Sequence, residues 1–217
     1  MNNLVFLEPN KIDATPFTTS DVIAEYAQVK HHAVQQMISK HEVSLKTFGQ
    51  VAFEMRAVTY ARGTNQEKIY HLTEPQATLL ITFLKNTEPV VKFKTELVKQ
   101  FYLMRAELQK RQMLREQLKP IRRELTDVIK DKPDAGKWAY KLYTDLAYKT
   151  ALGKNAAQVR KERNAPKKAT AIDYMTSEEI ATISKLQNQI GVLIEMGMDY
   201  QQVKMLLLNR QMVGNIA

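Results

Sequence analysis

Two adjacent histidines and two adjacent glutamines, His31, His32, Gln35 and Gln36, lie in the stretch TTSDVIAEYAQVKHHAVQQMISKH, residues 18–41. Imidazole and amide groups can hydrogen-bond to the edges of DNA bases, and imidazole can also bind a metal ion. Neighbouring residues of a helix point about 100° apart, so the two histidines are poorly placed to share one ion. The sequence has no cysteine and no histidine pair at i,i+4 spacing. We therefore expect no metal site here, and instead a surface that contacts DNA or another protein.

Motifs for catalysis and cofactor binding are missing from the sequence. It contains no GxxxxGK[ST] loop, no GxGxxG after a strand, no HExxH and no GxSxG. These motifs cradle phosphates, bind zinc or expose a nucleophile, and the seven glycines of the chain form no phosphate-binding loop. The carboxylates are scattered over surface-type helical positions. We expect neither an enzyme nor a cofactor.

The elements that would position the histidines and glutamines are two short helices. Thr19 or Ser20 can cap the first helix, and a turn at residues 28–30 separates it from a second helix over about 31–41. Val34, Met37 and Ile38 form the apolar face of that second helix, and Lys40 lies near its end. Two short helices with a turn of three or four residues match helix-turn-helix spacing.

A β-hairpin is predicted next in the chain. Val51, Phe53, Met55 and Ala57 alternate as in a half-buried strand, RGTNQ supplies the turn and KIYHL the returning strand. A hairpin after two helices is the wing of a winged helix-turn-helix, which would place three basic residues on or near the wing: Arg56, Arg62 and Lys68. Thr73 then caps a further helix.

A long helix is predicted from Glu88, with apolar residues spaced by three or four: Val90, Phe93, Leu97, Phe101, Met104 and Leu108. A second stripe follows at Leu114, Leu118, Ile121, Leu125 and Val128. Pro120 lacks an amide donor and should kink or divide this helix. The heptad-like spacing of the second stripe indicates helix pairing, and we expect a homodimer, with packing of the stripe inside the chain's own core as the alternative.

The net charge of +9 is concentrated in the middle of the chain. Residues 1–105 carry a net +2, residues 106–168 a net +9 and residues 169–217 a net −2. So local an excess favours contact with phosphates, and a solvated helical face is the alternative. The candidate phosphate contacts in this segment are Arg122, Arg123, Arg160, Lys167 and Lys168.

Residues 4–108 resemble the Rha family of phage regulatory proteins. The resemblance is carried by TTSDVIAEYAQVKHHAVQQMI, with His32 and Val34 as the family's histidine–valine pair, and by YHLTEPQATLLITFL and FKTELVKQFYLMRAEL. It implies a DNA-binding regulator encoded by a phage or prophage. The segments WAYKLYTDLAYKTALGKN and DYMTSEEIATISKLQNQI look like accessory C-terminal domains of phage antirepressor-like proteins.

The predicted fold is mainly α with a small β-hairpin. It has a winged helix-turn-helix domain over 1–108, a basic helical linker over 109–135 that continues the long connecting helix, and an all-helical domain over 136–217. KDKPDAGKWAY marks the last boundary. We expect a transcriptional regulator that binds double-stranded DNA. The residues expected to contact the DNA are basic or polar: His31, His32, Gln35, Gln36, Lys40, Arg56, Arg62, Lys68, Arg122, Arg123, Arg160, Lys167 and Lys168. The alternative is an antirepressor-type protein that binds a repressor or host protein.

The expected location is the cytoplasm of a bacterial host cell. No run of eighteen apolar residues predicts a membrane span, and the N-terminus MNNLVFLEPNKID lacks the pattern of a signal peptide.

Overall fold

The computed structural model describes residues 3–60, 63–132, 136 and 138–214, with the side chains of all of these except Tyr60 and residues 209–214. The chain forms two compact units. The first consists of Met1–Glu8 and Ala14–Ala106, and the second of Pro9–Asp13 and Glu107–Ala217. The long helix α5, Glu88–Lys130, begins in the first unit and ends in the second.

The first unit combines short helices with a small antiparallel sheet. Before α5 its elements are β1 (Phe17–Thr19), α1 (Ser20–Tyr26), α2 (His31–Lys40), α3 (Glu42–Lys46), β2 (Ala52–Tyr60), β3 (Gly63–Thr73) and α4 (Glu74–Thr82). The strand order is β1-β3-β2, with both pairs antiparallel. The predicted pair of short helices is confirmed, and the chain reverses between them at Gln28, whose φ of 55° is left-handed.

One face of each helix fills the core of this unit. Ile23 of α1, Val34 and Ile38 of α2 and Leu80 of α4 are all buried. The stripe predicted for the start of α5 packs against them, with Leu97 and Phe101 at most 1% exposed. In these helices, the apolar residues that recur in the sequence with the 3.6-residue helical period are therefore the residues that are buried.

The hairpin differs from its prediction in two ways. Residues 63–66, predicted as turn, belong to β3, because Tyr60 pairs with Gly63 across the end of the hairpin. Phe53 and Met55, predicted as the buried face of a strand, are 54% and 57% exposed. The hairpin extends beyond the core, which covers β3 only at its far end, where Ile69 and Leu72 are buried. The alternation of residues in β2 therefore reflects an exposed apolar face.

Helix α5 continues through Pro120, so of the two effects predicted for this proline, a kink or a division, the division is wrong. Proline removes a single amide donor, and burial of Leu118 and Leu125 on either side holds the helix in place. These leucines and their partly buried neighbours Leu114 and Val128 pack in the core of the second unit. The second stripe is thus covered by the chain's own helices.

The described elements of the second unit are all helical. They are the end of α5, α6 (Ala139–Leu152), α7 (Ala156–Glu162), a short 3-10 helix (Ala171–Tyr174), α8 (Ser177–Glu195) and α9 (Tyr200–Gly214). The predicted capping box of α8 is confirmed, since Thr176 Oγ1 accepts from the Glu179 N–H and the Glu179 carboxylate accepts from the Thr176 N–H. Residues 133–135 and 137 of the predicted boundary KDKPDAGKWAY lie outside the described residues. Over the part of the chain that the structure describes, no helix has the length and apolar character needed to cross a membrane.

Candidate nucleic-acid interface

His31, the first residue of α2, forms hydrogen bonds with α1 and with β3. His31 Nε2 lies 2.8 Å from Ser20 Oγ, and His31 Nδ1 lies 3.2 Å from the Glu67 carboxylate on β3. Ser20 Oγ also accepts the Tyr70 N–H at 3.0 Å. One assignment of protons satisfies every donor: the Ser20 hydroxyl donates to His31 Nε2, and the Nδ1–H donates to Glu67. His31 therefore joins the start of α1, the start of α2 and strand β3.

Gln35, one turn later, makes a second attachment to the same strand. Its side-chain amide donates to the Lys68 carbonyl at 2.9 Å. His31 and Gln35 thus both point towards β3, and Val34 and Ile38 on the adjacent face are buried in the core. Two sides of α2 are occupied by the protein itself.

The remaining side of α2 is open to solvent. His32, Gln36 and Lys40, at i, i+4 and i+8, are all exposed, and so is Ser39 between them. Residues at this spacing lie above one another on a helix and form one stripe. The stripe offers an imidazole, an amide and a cation to a partner. Among the residues predicted to contact DNA, the structure places these three together on one surface.

The basic side chains of the hairpin differ in whether an acidic side chain already neutralises their charge. Arg56 donates to Asp21 at 2.7 Å and to Glu54 at 2.5 Å, so its charge is already compensated. Burial acts to raise the pKa of Asp21, but the Thr19 hydroxyl and the Arg56 charge outweigh it and hold that pKa below its usual value. Arg56 therefore links β2 to α1.

Lys68, another basic residue of the hairpin, lies on aromatic rings. Its Nζ is 4.0 Å from the ring centre of Phe53 and 4.6 Å from that of Tyr70. Cation–π contact places the ammonium group without neutralising it, so Lys68 can still meet a phosphate. Arg62 lies outside the described residues.

The middle segment of the chain supplies five basic residues that are predicted to contact phosphates. All five belong to the second unit. Arg123, Lys167 and Lys168 are exposed, whereas Arg122 and Arg160 are half-buried. Arg122 donates to the Tyr148 hydroxyl at 3.2 Å. None of the five forms an ion pair with a carboxylate of the described residues.

The hydroxyl, imidazole and carboxylate of Ser20, His31 and Glu67 are the groups of a hydrolase triad, but their setting does not suit catalysis. Ser20 is 0% exposed, and its oxygen already accepts the Tyr70 N–H. A nucleophile must reach a substrate, and this one is enclosed. Within the described ranges, no cluster of three or more His, Asp or Glu side chains could hold a metal ion.

Sequence reasoning missed Ser20, Glu67 and Tyr70 as functional partners of α2. They lie 11, 36 and 39 positions from His31 in the chain, too far apart for a motif to connect them. The sequence carries only a weak signal for this network, because its pattern marks Thr19 and Ser20 as candidate helix caps and nothing more. The hairpin register, which brings Glu67 and Tyr70 beside α2, fixes the network.

The comparison with protein families gives a match for the N-terminal part of the chain. The model of the family described as phage regulatory protein Rha matches residues 18–106. This confirms the N-terminal part of the predicted resemblance and suggests a phage regulatory role. The match ends where the first unit ends, so the predicted likeness of the second half to antirepressor-like proteins has no support from it. A search of curated proteins found no match.

Proposed function

We propose that this protein is a DNA-binding transcriptional regulator encoded by a phage or prophage, and that the exposed stripe of α2 reads the DNA. The match of residues 18–106 to phage regulatory protein Rha supports the regulatory role. The order of elements supports the mode of binding. Helices α1 to α3 are followed by the hairpin of β2 and β3, and the sheet order is β1-β3-β2, as in a winged helix-turn-helix.

The division of α2 into three sides is the observation that carries this proposal. A recognition helix must be held rigidly from behind while its front enters the major groove. In α2 the core holds Val34 and Ile38, β3 holds His31 and Gln35, and the stripe of His32, Gln36 and Lys40 is left free. Polar side chains are thus exposed on the side of α2 where a base-reading surface is needed.

Each residue of the stripe suits a different contact with DNA. The Gln36 amide can form two hydrogen bonds with an adenine edge, and His32 can donate to a base or a phosphate. Lys40 would neutralise a phosphate, as would Lys68 from the hairpin. His31, Gln35 and Arg56 serve in this account to position α2 and the hairpin, because their polar groups already have partners within the protein.

Binding to duplex DNA over a salt series tests the proposal. With the two phosphate contacts of Lys40 and Lys68, affinity should fall roughly tenfold between 50 and 200 mM salt, because each neutralised phosphate releases counterions. Fluorescence anisotropy of a labelled duplex measures this directly. Folded protein that binds no duplex at low salt would refute the proposal.

A second function, binding of a repressor or host protein in the manner of an antirepressor, is favoured by two observations. The first unit exposes several large apolar side chains: Val43 is 85% exposed and Phe48 50%, in addition to Phe53 and Met55 on β2. Its net charge is also small for a DNA-binding unit, at +2 over residues 1–105. If DNA binding fails, replacing Val43 and Phe53 by serine should abolish capture of the phage repressor in co-expression.

A further inference from the structure

Helix α8 of the second unit has one face that the described chain leaves uncovered. Its other face is buried in the core, with Ile183 and Ile190 at 0% exposure. The uncovered face consists of exposed residues spaced by three or four, which form one stripe along the helix. We call it the α8 stripe, and its members are Ala181, Lys185, Asn188, Val192 and Glu195.

The middle of the α8 stripe borders an apolar groove. Val192 is 48% exposed, and Leu206 of α9 is 45% exposed on the same groove. The groove has a volume of about 410 Å³. Its lining residues are uncharged: Asn188, Gln189, Val192, Leu193, Leu206 and Leu207. An exposed apolar groove with a polar rim is typical of a surface that another helix covers.

The charged residues of the α8 stripe lack partners within the described chain. Neither Lys185 nor Glu195 forms an ion pair with a described residue. Glu195 lies in the last turn of α8, where a carboxylate meets the negative end of the helix dipole, and that turn holds no basic residue. It lines a small groove together with Glu124 of α5, which has no described ion pair either. A cation from outside the chain would relieve this end of the stripe.

The order of residues along the α8 stripe is symmetric about the level of Ile190. Lys185 and Glu195 are each five residues from Ile190, and Asn188 and Val192 are each two residues from it. At 3.6 residues per turn, Lys185 and Glu195 lie about 40° to opposite sides of the stripe's midline. A two-fold axis through the midline at this level therefore brings the position of Lys185 in one copy onto that of Glu195 in the other.

We propose that the α8 stripe is a homodimer interface, in which α8 of two copies of this chain pack antiparallel about that two-fold axis. Lys185 then pairs with Glu195 of the partner subunit, and the symmetry forms this pair twice. Val192 lies beside the axis, so the interface buries it in both copies. A pattern of charges that complements itself under a two-fold rotation favours a second copy of the chain over an unrelated helix.

This interface gives the stripe of α5 no part in dimerisation, since Leu118 and Leu125 are already packed inside the second unit. A dimer carries two copies of α2, and on the proposed function it would prefer DNA with two half-sites related by a two-fold axis. Dimerisation is measured without DNA, so its failure and a failure of DNA binding are distinguishable.

Sedimentation equilibrium of the full-length protein over the micromolar range tests the proposal, and we expect a dimer. Lys185→Glu and Glu195→Lys each turn both attractive pairs into like-charge pairs, so each alone should weaken dimerisation about tenfold or more. An equimolar mixture of the two variants should dimerise again, because both pairs of the mixed dimer join opposite charges. The double variant Lys185→Glu/Glu195→Lys should dimerise as the unchanged chain does, for the same reason.

Val192→Asp should also weaken dimerisation, because it places an unpaired carboxylate beside the two-fold axis. Val91→Asp is the matched control, since Val91 is 47% exposed on α5 in the first unit. Lys99→Glu, at an exposed position of α5 in the same unit, controls for the change of net charge. Both controls should leave the dimer unchanged. Circular dichroism melting of each variant verifies that the helices remain folded.

Three results would overturn the proposal. The first is a monomer throughout the micromolar range. The second is a dimer that Val192→Asp weakens no more than Val91→Asp does. The third is a mixture of the Lys185→Glu and Glu195→Lys variants that dimerises no better than either variant alone, because the antiparallel arrangement requires the mixed dimer to form.

Discussion

Replacing Ser20 by alanine removes the hydroxyl that joins α1, α2 and β3 and changes little else. Ser20 is 0% exposed, and alanine nearly matches its volume, so no sizeable cavity forms. The variant leaves the Tyr70 N–H without its acceptor and His31 Nε2 without its partner. An unsatisfied buried group costs about 1–3 kcal/mol, and Tyr70 is only half-buried, so we expect a loss of about 2 kcal/mol.

Urea unfolding followed through amide NMR signals of the first unit measures this loss. A loss of about 2 kcal/mol lowers the midpoint by roughly 1 M urea. Ser39→Ala is the matched control, because Ser39 is exposed on α2 and the same substitution there should change stability by less than about 0.5 kcal/mol. A double-mutant cycle with His31→Ala should give a coupling of about 1 kcal/mol. Equal effects of Ser20→Ala and Ser39→Ala would refute the idea that this network holds α2.

Two further predictions concern stability. Gln76 is 1% exposed, donates to the Gly49 carbonyl at 2.9 Å and accepts the Thr73 N–H at 3.1 Å, so Gln76→Leu should lower the free energy of unfolding by about 2–4 kcal/mol, measured by urea unfolding. In the second unit, burial acts to raise the pKa of Glu107, but hydrogen bonds from Ser177 and Arg111 outweigh it and hold that pKa below the ordinary 4.5. The carboxylate therefore stabilises the fold fully above about pH 4.5, and this contribution disappears as the pH falls through the lowered value. Thermal melts from pH 6 to pH 3 should show this loss, and Glu107→Gln should make the pH dependence shallower; an unchanged pH profile in that variant would contradict the assignment.

Helical periodicity is what the sequence predicted best. The buried stripe from Val90 to Phe101, the capping box at Thr176 and the start of α2 at His31 follow from local spacing and capping chemistry, which operate within a few residues. Such features depend little on the rest of the fold.

The features that sequence reasoning missed depend on long-range packing. Periodicity identified the polar residues of α2 but could not show that β3 covers His31 and Gln35 and leaves His32 and Gln36 exposed. In the same way, Phe53 alternates like a buried residue, yet the hairpin extends beyond the core. The candidate interface on α2 is therefore smaller than the sequence predicts, because the pairing of the strands places β3 against part of this helix.

The most direct test of the central claim is the sequence preference of a Gln36→Ala variant. A preferred duplex is first selected with the full-length protein from a random library, and affinities are then measured for that duplex and for a scrambled competitor. The variant should lose discrimination at one A·T pair by about 1–3 kcal/mol, roughly 5- to 150-fold, with competitor affinity nearly unchanged.

Gln117→Ala provides the control, since Gln117 is an exposed glutamine of α5 outside the proposed interface. It should leave both affinities unchanged. If Gln36→Ala instead keeps the full preference for the selected duplex, the exposed stripe of α2 does not read DNA. That result would contradict the account and favour a protein partner for this surface.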